Sequence, residues 1–228
     1  MPKLVFWIDV DNTLIDNDRI KEVQTEALLA EVGPDLCKRF WDIYEEVREQ
    51  QGVVNIPDTL VLLRERTSLD EMDELTFQHV CSIFDNFPFQ QFLFAHVLET
   101  LQYLNSIGMP VIVSDGDKNY QAEKIYNSGI AQAVDGRVLL FIHKQEQLDE
   151  IEQVYPADHW AIIDDKPQIL GDVKRLKGGS ITTVFVKQGK YAQASFPESF
   201  VPDITLAQIG DARNISAEEF MGQQKISH

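Results

Sequence analysis

Apolar residues follow two rhythms along this chain. Residues 4–8, Leu-Val-Phe-Trp-Ile, are an unbroken apolar run with the length and composition of a strand buried on both faces. From about Ile20 the spacing changes to three and four. Ile20, Val23, Ala27 and Leu28 share one helix face, and Leu36, Phe40, Ile43 and Val47 continue it. Gly52 and Pro57 punctuate this stretch, and Leu60 and Leu63 mark a short helix ending near Arg66. Ser68 and Glu71 have the spacing of a capping box, which predicts a helix carried by Leu75, Val80, Ile83 and Phe84. Pro88 breaks the pattern. Residues 90–107 predict a further helix, with Val97, Leu98, Leu101 and Leu104 on one side and Gly108 as its stop.

From Met109 strands and helices alternate. Residues 111–113, 137–142, 160–163 and 181–186 read as strands. Between them, residues 117–128, 145–154 and a segment opening at Pro167 read as helices. Strand–helix alternation implies a parallel sheet with right-handed crossovers. The expected fold is therefore α/β: a parallel, Rossmann-like sheet core, interrupted after its first strand by a long helical insertion. That insertion far exceeds an ordinary crossover. Residues 1–16 and 95–228 are assigned to the core and residues 17–94 to the insertion. The polar segment 222–228 is expected to fray.

The candidate chemistry sits at the strand ends, where open parallel sheets bind ligands. Asp9 and Asp11 follow the first strand, and two residues apart on extended chain they point the same way. Ser114, Asp115 and Gly116 end the second strand. A hydroxyl there can donate to an anion, and glycine lets backbone N–H groups approach it. Lys144 follows the third strand, and Asp164 and Asp165 follow the fourth. Each group also suits an ordinary turn or helix cap, but their joint placement favours one site.

These groups resemble, in order, the signatures of the haloacid dehalogenase (HAD) superfamily. Residues 9–13, Asp-Val-Asp-Asn-Thr, match its first signature, Asp-x-Asp-x-Thr/Val, in full. Ser114 matches the second, Lys144 the third and the Asp164–Asp165 pair the fourth. The resemblance covers residues 3–16 and 109–190. It implies a helical cap in the insertion and a Mg²⁺-dependent phosphatase acting through an aspartyl-phosphate. Asp9 would be the nucleophile, Asp11 the acid and base, and Lys144 the catalytic cation. Ser114, Asp115 and Gly116 would hold phosphate. Asp9, Asp11 through its backbone carbonyl, and Asp164 and Asp165 would hold the metal, with alignment favouring Asp165 over Asp164 as direct ligand. Two departures stand out: Gln145 replaces the proline that often follows the lysine, and Gln168 and Ile169 stand where a further acid is common. Lys118 and Lys124 are rivals to Lys144, and the spacing favours Lys144. Dehalogenases of the family lack the second acid, so Asp11 favours phosphate esters over haloacids. The other readings are a C–halogen hydrolase and a degenerate phosphate-binding interaction protein.

Composition narrows the remaining choices. Lys and Arg total 20 against 37 Asp and Glu, a net charge of −17, which opposes binding to nucleic acid or anionic membrane. The expected partner is a small phosphorylated substrate. No apolar run approaches a membrane span and the N-terminus does not read as a signal peptide, so a cytoplasmic location is expected. Cys37 and Cys81 read as small core residues. No pair among His79, His96, His143, His159 and His228 has ligand spacing, although His143 adjoins Lys144. Trp41, Tyr44 and Arg48 share one helix face, for which core packing or solvation is the favoured reading over a substrate contact. Gly189-Lys190-Tyr191 reads as a loop beside the site without a catalytic role.

Overall fold

The computed structural model describes residues 2–223; His228 and most of the polar tail, for which fraying was expected, lie outside the described residues. The chain runs β1 (Leu4–Ile8), α1 (Asn17–Gln51), α2 (Ile56–Glu65), α3 (Glu74–Phe84), α4 (Val97–Ile107), β2 (Met109–Asp115), α5 (Tyr120–Asn127), α6 (Ile130–Ala133) and β3 (Val138–Phe141). It continues through α7 (Leu148–Val154), β4 (His159–Asp164), α8 (Pro167–Lys177), β5 (Ile181–Val186), β6 (Ile204–Leu206) and α9 (Ala217–Phe220). The six strands form one parallel sheet in the order β3-β2-β1-β4-β5-β6. The α/β, Rossmann-like core is thus as expected.

Alternation along the strands separates two hydrophobic layers. Leu4, Phe6 and Ile8 of β1 join Ile112, Ile163 and Val184 on one face, beneath Val97, Leu101 and Leu104 of α4 and Phe220 of α9. Val5 and Trp7 join Val111, Ile162 and Phe185 on the other, beneath Leu148 and Ile151 of α7 and Leu170 and Val173 of α8. Both faces are covered, which is why β1 reads as an unbroken apolar run. β1 sits between β2 and β4, so the three strand ends carrying Asp9, Ser114 and Asp164 are adjacent.

Helices α1, α2 and α3 enclose a third apolar cluster, including Leu28, Phe40, Tyr44, Leu63, Val80 and Phe84. Two chain crossings join this helical layer to the core, and backbone bonds fasten them to each other. The Asp16 N–H donates to the Phe92 carbonyl at 2.8 Å and the Phe94 N–H to the Leu14 carbonyl at 3.0 Å. This pairing explains why helix does not span 90–107. The backbone groups near Phe92 and Phe94 are committed across the chain, a short 3₁₀ turn spans Phe89–Phe92, and α4 begins only at Val97.

Other boundaries differ for local reasons. α1 is interrupted at Gly33, whose φ of 73° leaves the helical region just before Pro34; proline lacks the N–H and crowds the preceding turn. Ser68 and Glu71 do exchange capping bonds, but they close a single turn, and α3 starts at Glu74 with Asp73 as its cap. β6 went unread because three residues carry too little periodicity to register. Among the described residues, no helix is long and apolar enough to cross a membrane.

Candidate active site

β1 delivers Asp9 to the carboxyl edge of the sheet, and the chain then winds into a tight turn. The N–H groups of Leu14 and Ile15 both reach the Val10 carbonyl, and the Asn12 N–H reaches the Ile15 carbonyl at 2.7 Å. Asn12 takes a positive φ of 62°, which asparagine tolerates better than most residues. Its side-chain oxygen accepts from the N–H groups of Asn17 and Asp18, so the turn caps α1. Gly189 packs against this turn. A Cβ there would lie 2.5 Å from Asn12, and φ is +59°, so only glycine suits the position.

Asp9 is buried, with 3% of its surface exposed. Lys144 Nζ donates to Asp9 Oδ1 at 2.5 Å and lies 2.7 Å from Asp164 Oδ2. Thr13 Oγ1 is 3.4 Å from Asp9 Oδ2. Lys144 is itself anchored: its N–H donates to Asp115 Oδ1 at 2.7 Å and its ammonium to the Val113 carbonyl at 3.3 Å. Three carboxylates, from Asp9, Asp164 and Asp165, bring oxygens within 4.8 Å of one another. Asp164 Oδ1 accepts from the Lys166 N–H at 2.8 Å. Asp165 is fully buried, and neither of its oxygens has a hydrogen-bond partner among the described residues.

Burial is the largest influence on this cluster. It raises the pKa of Asp9, assisted by the charge of Asp164 and opposed by Lys144. Burial, with the charges of Asp164 and Asp9, pushes Asp165 up to about 9. Burial works against the charge on Lys144, but Asp164, Asp9 and Asp115 outweigh it and hold the ammonium above its ordinary value. Two buried oxygens without protein donors, in a crowd of carboxylates, fit a hard divalent cation, which takes oxygen ligands.

Asp11 belongs to a different set of contacts. Its carboxylate accepts from Lys124 Nζ at 2.8 Å and from Gln121 Nε2 at 3.5 Å. Lys124 also donates to Asn17 Oδ1 at 3.0 Å. Burial raises the Asp11 pKa, but the charge and hydrogen bond of Lys124, with Lys166 and Gln121, more than offset it, so the net shift is downward. The Asp11 carboxylate is turned to Lys124 and lies outside the three-carboxylate group, so any part Asp11 has in holding a metal falls to its backbone carbonyl, as expected from the sequence.

Ser114 is buried, and its Oγ accepts from Gln121 Nε2 at 2.9 Å, leaving the hydroxyl proton available. Asp115 and Gly116, expected to hold phosphate, follow Ser114 at this strand end and line the cavity between the helical layer and the core. The Asp115 carboxylate is engaged by the Lys144 N–H, and the Gly116 N–H donates to the Phe141 carbonyl at 2.9 Å.

A cavity of about 330 Å³ lies between the helical layer and the core. Asp11, Gly116, Gln121, Lys124 and Lys166 line it from the core. Asp9, Asp164 and Asp165 are buried and do not themselves line it. Trp41, Tyr44 and Arg48 line the helical side, while His143, Lys190 and Tyr191 complete it; Tyr44 and Trp41 also pack in the third apolar cluster and Arg48 is exposed, as the favoured reading of packing or solvation expected. Sequence reasoning passed over Gln121 and Lys166, and weighed Lys124 only as a rival to Lys144. Gln121 and Lys124 are three apart on one helix following the Ser114 strand, a signal that was present. Lys118, the other rival lysine, is exposed.

No family model matches this chain, and no curated protein matches it. Solved structures do. A protein of Burkholderia xenovorans described as a haloacid dehalogenase-like hydrolase is 34% identical, with a TM-score of 0.82, over 94% of this chain and 99% of its own. Two more distant structures show the same fold. The Bacillus subtilis HAD-hydrolase YfnB, bound to magnesium, is 13% identical with a TM-score of 0.61, over 94% of this chain and 98% of its own. An L-2-haloacid dehalogenase of Xanthobacter autotrophicus is 15% identical with a TM-score of 0.58, at the same two coverages.

Proposed function

The chain belongs to the haloacid dehalogenase-like hydrolases, and from that premise we propose that it is a Mg²⁺-dependent phosphatase of small phosphorylated molecules. One observation carries the reading: a second carboxylate, Asp11, stands two residues after Asp9 and is held by Lys124 and Gln121. A halide leaves as a stable anion and needs no proton. The alkoxide leaving a phosphate ester does need one.

In this reading an oxygen of Asp9 attacks phosphorus, and the bond from phosphorus to the leaving oxygen breaks. Asp11 gives that oxygen its proton. Water then attacks the aspartyl-phosphate, Asp11 takes the water's proton, and phosphate departs from Asp9. The resting Asp11 is poised for the second half of this cycle, because Lys124 favours its ionised form. An arriving phosphate ester supplies the opposite influence, since a neighbouring negative charge raises a carboxyl pKa. Lys144 keeps Asp9 oriented and neutralises charge on the transferring group, and the free hydroxyl proton of Ser114 is available to a phosphate oxygen.

Asp9, Asp164 and Asp165, with the Asp11 carbonyl, would hold Mg²⁺, which supplies further charge neutralisation for the phosphoryl group. Asp165 is the better candidate for direct ligation. Asp164 already serves Lys144 and the Lys166 N–H, whereas both Asp165 oxygens lack donors. Magnesium in the structure of YfnB supports this choice of ion.

The test is Asp11→Asn assayed on an alkyl and an aryl phosphate. Aryl leaving groups are already stable as anions, so the alkyl ester should slow far more, within the roughly 10²–10⁴-fold range of acid–base catalysis. Equal slowing would reduce Asp11 to a structural role. Turnover of a 2-haloacid by the wild type would overturn the phosphatase reading.

A further inference from the structure

The cavity wall carries more positive charge than the chemistry at Asp9 uses. In a chain of net charge −17 with 20 basic residues, five of those residues, Lys21, Arg48, Lys124, Lys166 and Lys190, line this one cavity. Two have partners in the site already described. Lys124 holds Asp11, and Lys166 stands beside the carboxylate cluster. The other three lie on the helical layer and on the 189–191 turn.

Acidic residues line the cavity as well, but their carboxylates are engaged elsewhere. Asp18 accepts from the Asn12 side chain and the Lys190 N–H. Asp115 accepts from the Lys144 N–H, and Asp117 from the N–H groups of Asn119 and Tyr120. None forms an ion pair with Lys21, Arg48 or Lys190. Among the described residues no carboxylate lies within 4.0 Å of the Lys21 or Lys190 ammonium. Arg48 has only Glu45, an exposed neighbour one helix turn away, and such pairs contribute little.

Lys21 is the best placed of the three. It is half-buried, and its Nζ lies 4.6 Å from the centre of the Tyr44 ring and 6.0 Å from that of Trp41. Two aromatic faces hold the ammonium at the cavity wall, where a carboxylate would be the usual partner. Burial and the charges of Lys190 and Arg48 lower its pKa, and those of Glu45 and Asp11 only partly offset them, so like charges outweigh unlike ones around this ammonium. A protein gains nothing from that crowding in the absence of an anion.

We propose that Lys21, Arg48 and Lys190 bind a second anionic group of the substrate, so that the enzyme acts on small phosphate esters whose carbon skeleton carries a carboxylate or a further phosphate. The proposal rests on the phosphatase reading of the same site. The cavity volume of about 330 Å³ is at the small end for ligand pockets, which suits a short skeleton between two charged ends. The helical layer would thereby select substrate by charge, at the opposite wall from the reacting phosphate.

Binding separates this inference from the reading beneath it. The full chain with Mg²⁺ is titrated calorimetrically with 3-phosphonopropanoate, with its carboxyl methyl ester, and with propane-1,3-bisphosphonate. None of these can be hydrolysed as a phosphate ester. The expected result is that the free acid or the bisphosphonate binds about 10- to 100-fold more tightly than the methyl ester, as a charge-assisted contact implies. Whichever of the two binds better identifies the second group. In Lys21→Gln/Lys190→Gln the ratio should fall towards one. Equal affinities in the wild type, or an unchanged ratio in a folded double variant, would overturn the proposal. If the double variant does not fold, the wild-type comparison with the methyl ester decides alone. Hydrolysis of 3-(phosphonooxy)propanoate and its methyl ester is followed in parallel. Turnover of neither, with the binding preference intact, would refute the phosphatase and leave the anion site standing. Turnover of both without a binding preference would do the reverse.

Discussion

Lys144→Met removes one charge from the most crowded part of the molecule while keeping a long, flexible side chain. Lys144 is fully buried, 2.5 Å from Asp9 and 2.7 Å from Asp164. Breaking a buried ion pair by deleting one partner costs about 3–5 kcal/mol, because the other charge is left uncompensated. Unfolding entropy of about 2.1 cal/mol/K per residue over 228 residues gives roughly 0.5 kcal/mol/K. The melting temperature should therefore fall by about 6–10 °C.

Two further readouts separate this electrostatic loss from an ordinary packing defect. The first is pH. Asp9 and Asp165 both have folded pKa values above their unfolded ones, Asp165 reaching about 9. Their contribution is greatest at low pH and declines as pH rises through the neutral range. Without Lys144 both values move further up, so that decline becomes steeper. The Lys144 pKa is raised, so its own contribution is complete below the ordinary lysine value and does not titrate in this window. The deficit of the variant should thus be larger at about pH 8.5 than at about pH 5.5. The second readout is metal. With Lys144 absent, Mg²⁺ meets a more negative cluster, and its addition should raise the melting temperature more in the variant than in the wild type. Thermal unfolding of both proteins, with chelator and with Mg²⁺, measures all three quantities. A pH-independent loss of under about 2 °C, roughly 1 kcal/mol, would refute the reasoning.

Three other outcomes are expected. Asp9→Asn keeps the volume of the side chain but removes the nucleophilic oxygen, so hydrolysis of an aryl phosphate should fall more than about a thousandfold, some 4 kcal/mol of barrier; activity within tenfold of wild type would exclude Asp9. Exhaustive chelation should abolish turnover and Mg²⁺ restore it, with Asp165→Ala raising the Mg²⁺ requirement. Because Asp165 is raised to about 9, Mg²⁺ binding near pH 7 should release roughly one proton, read by calorimetry in buffers of different ionisation enthalpy. Lys124→Met removes the cation that favours ionised Asp11, so the Asp11 limb of the kcat/KM profile should move to higher pH, and an unmoved limb would show that Lys124 does not set it.

The parts of this molecule that were legible in sequence are those where one residue run settles one local question. β1 is buried on both faces, so it had to be apolar throughout, and five such residues between polar flanks admit little else. Asp9, Ser114, Lys144, Asp164 and Asp165 could be placed because strand ends in a parallel sheet converge by topology. The misjudged elements depended on a second segment. The start of α4 is set by backbone bonds to Leu14 and Asp16, some eighty positions away, and β6 exists because β5 offers an edge to pair with. Neither leaves a local periodic trace.

The same distinction explains which site residues were missed. A strand end announces Asp11, but nothing near it in sequence reveals what its carboxylate meets. Its partner, Lys124, lies 113 positions later on α5, and its place on a helix between two strands made it a weaker match than Lys144, which follows a strand end, to an ordered set of signatures. Lysines were sought there as one catalytic cation, whereas the fold places two, each on a different set of carboxylates. Lys144 is held by Asp9 and Asp164, and Lys124 by Asp11. That division has a physical reason. Asp9 and Asp11 must differ in protonation behaviour if one is to attack phosphorus while the other exchanges a proton, and two acids two residues apart would otherwise titrate as a coupled pair. Separate cations, approaching from separate elements, let burial raise one pKa while Lys124 depresses the other. The motif provides the two carboxylates, and the tertiary structure makes them unequal.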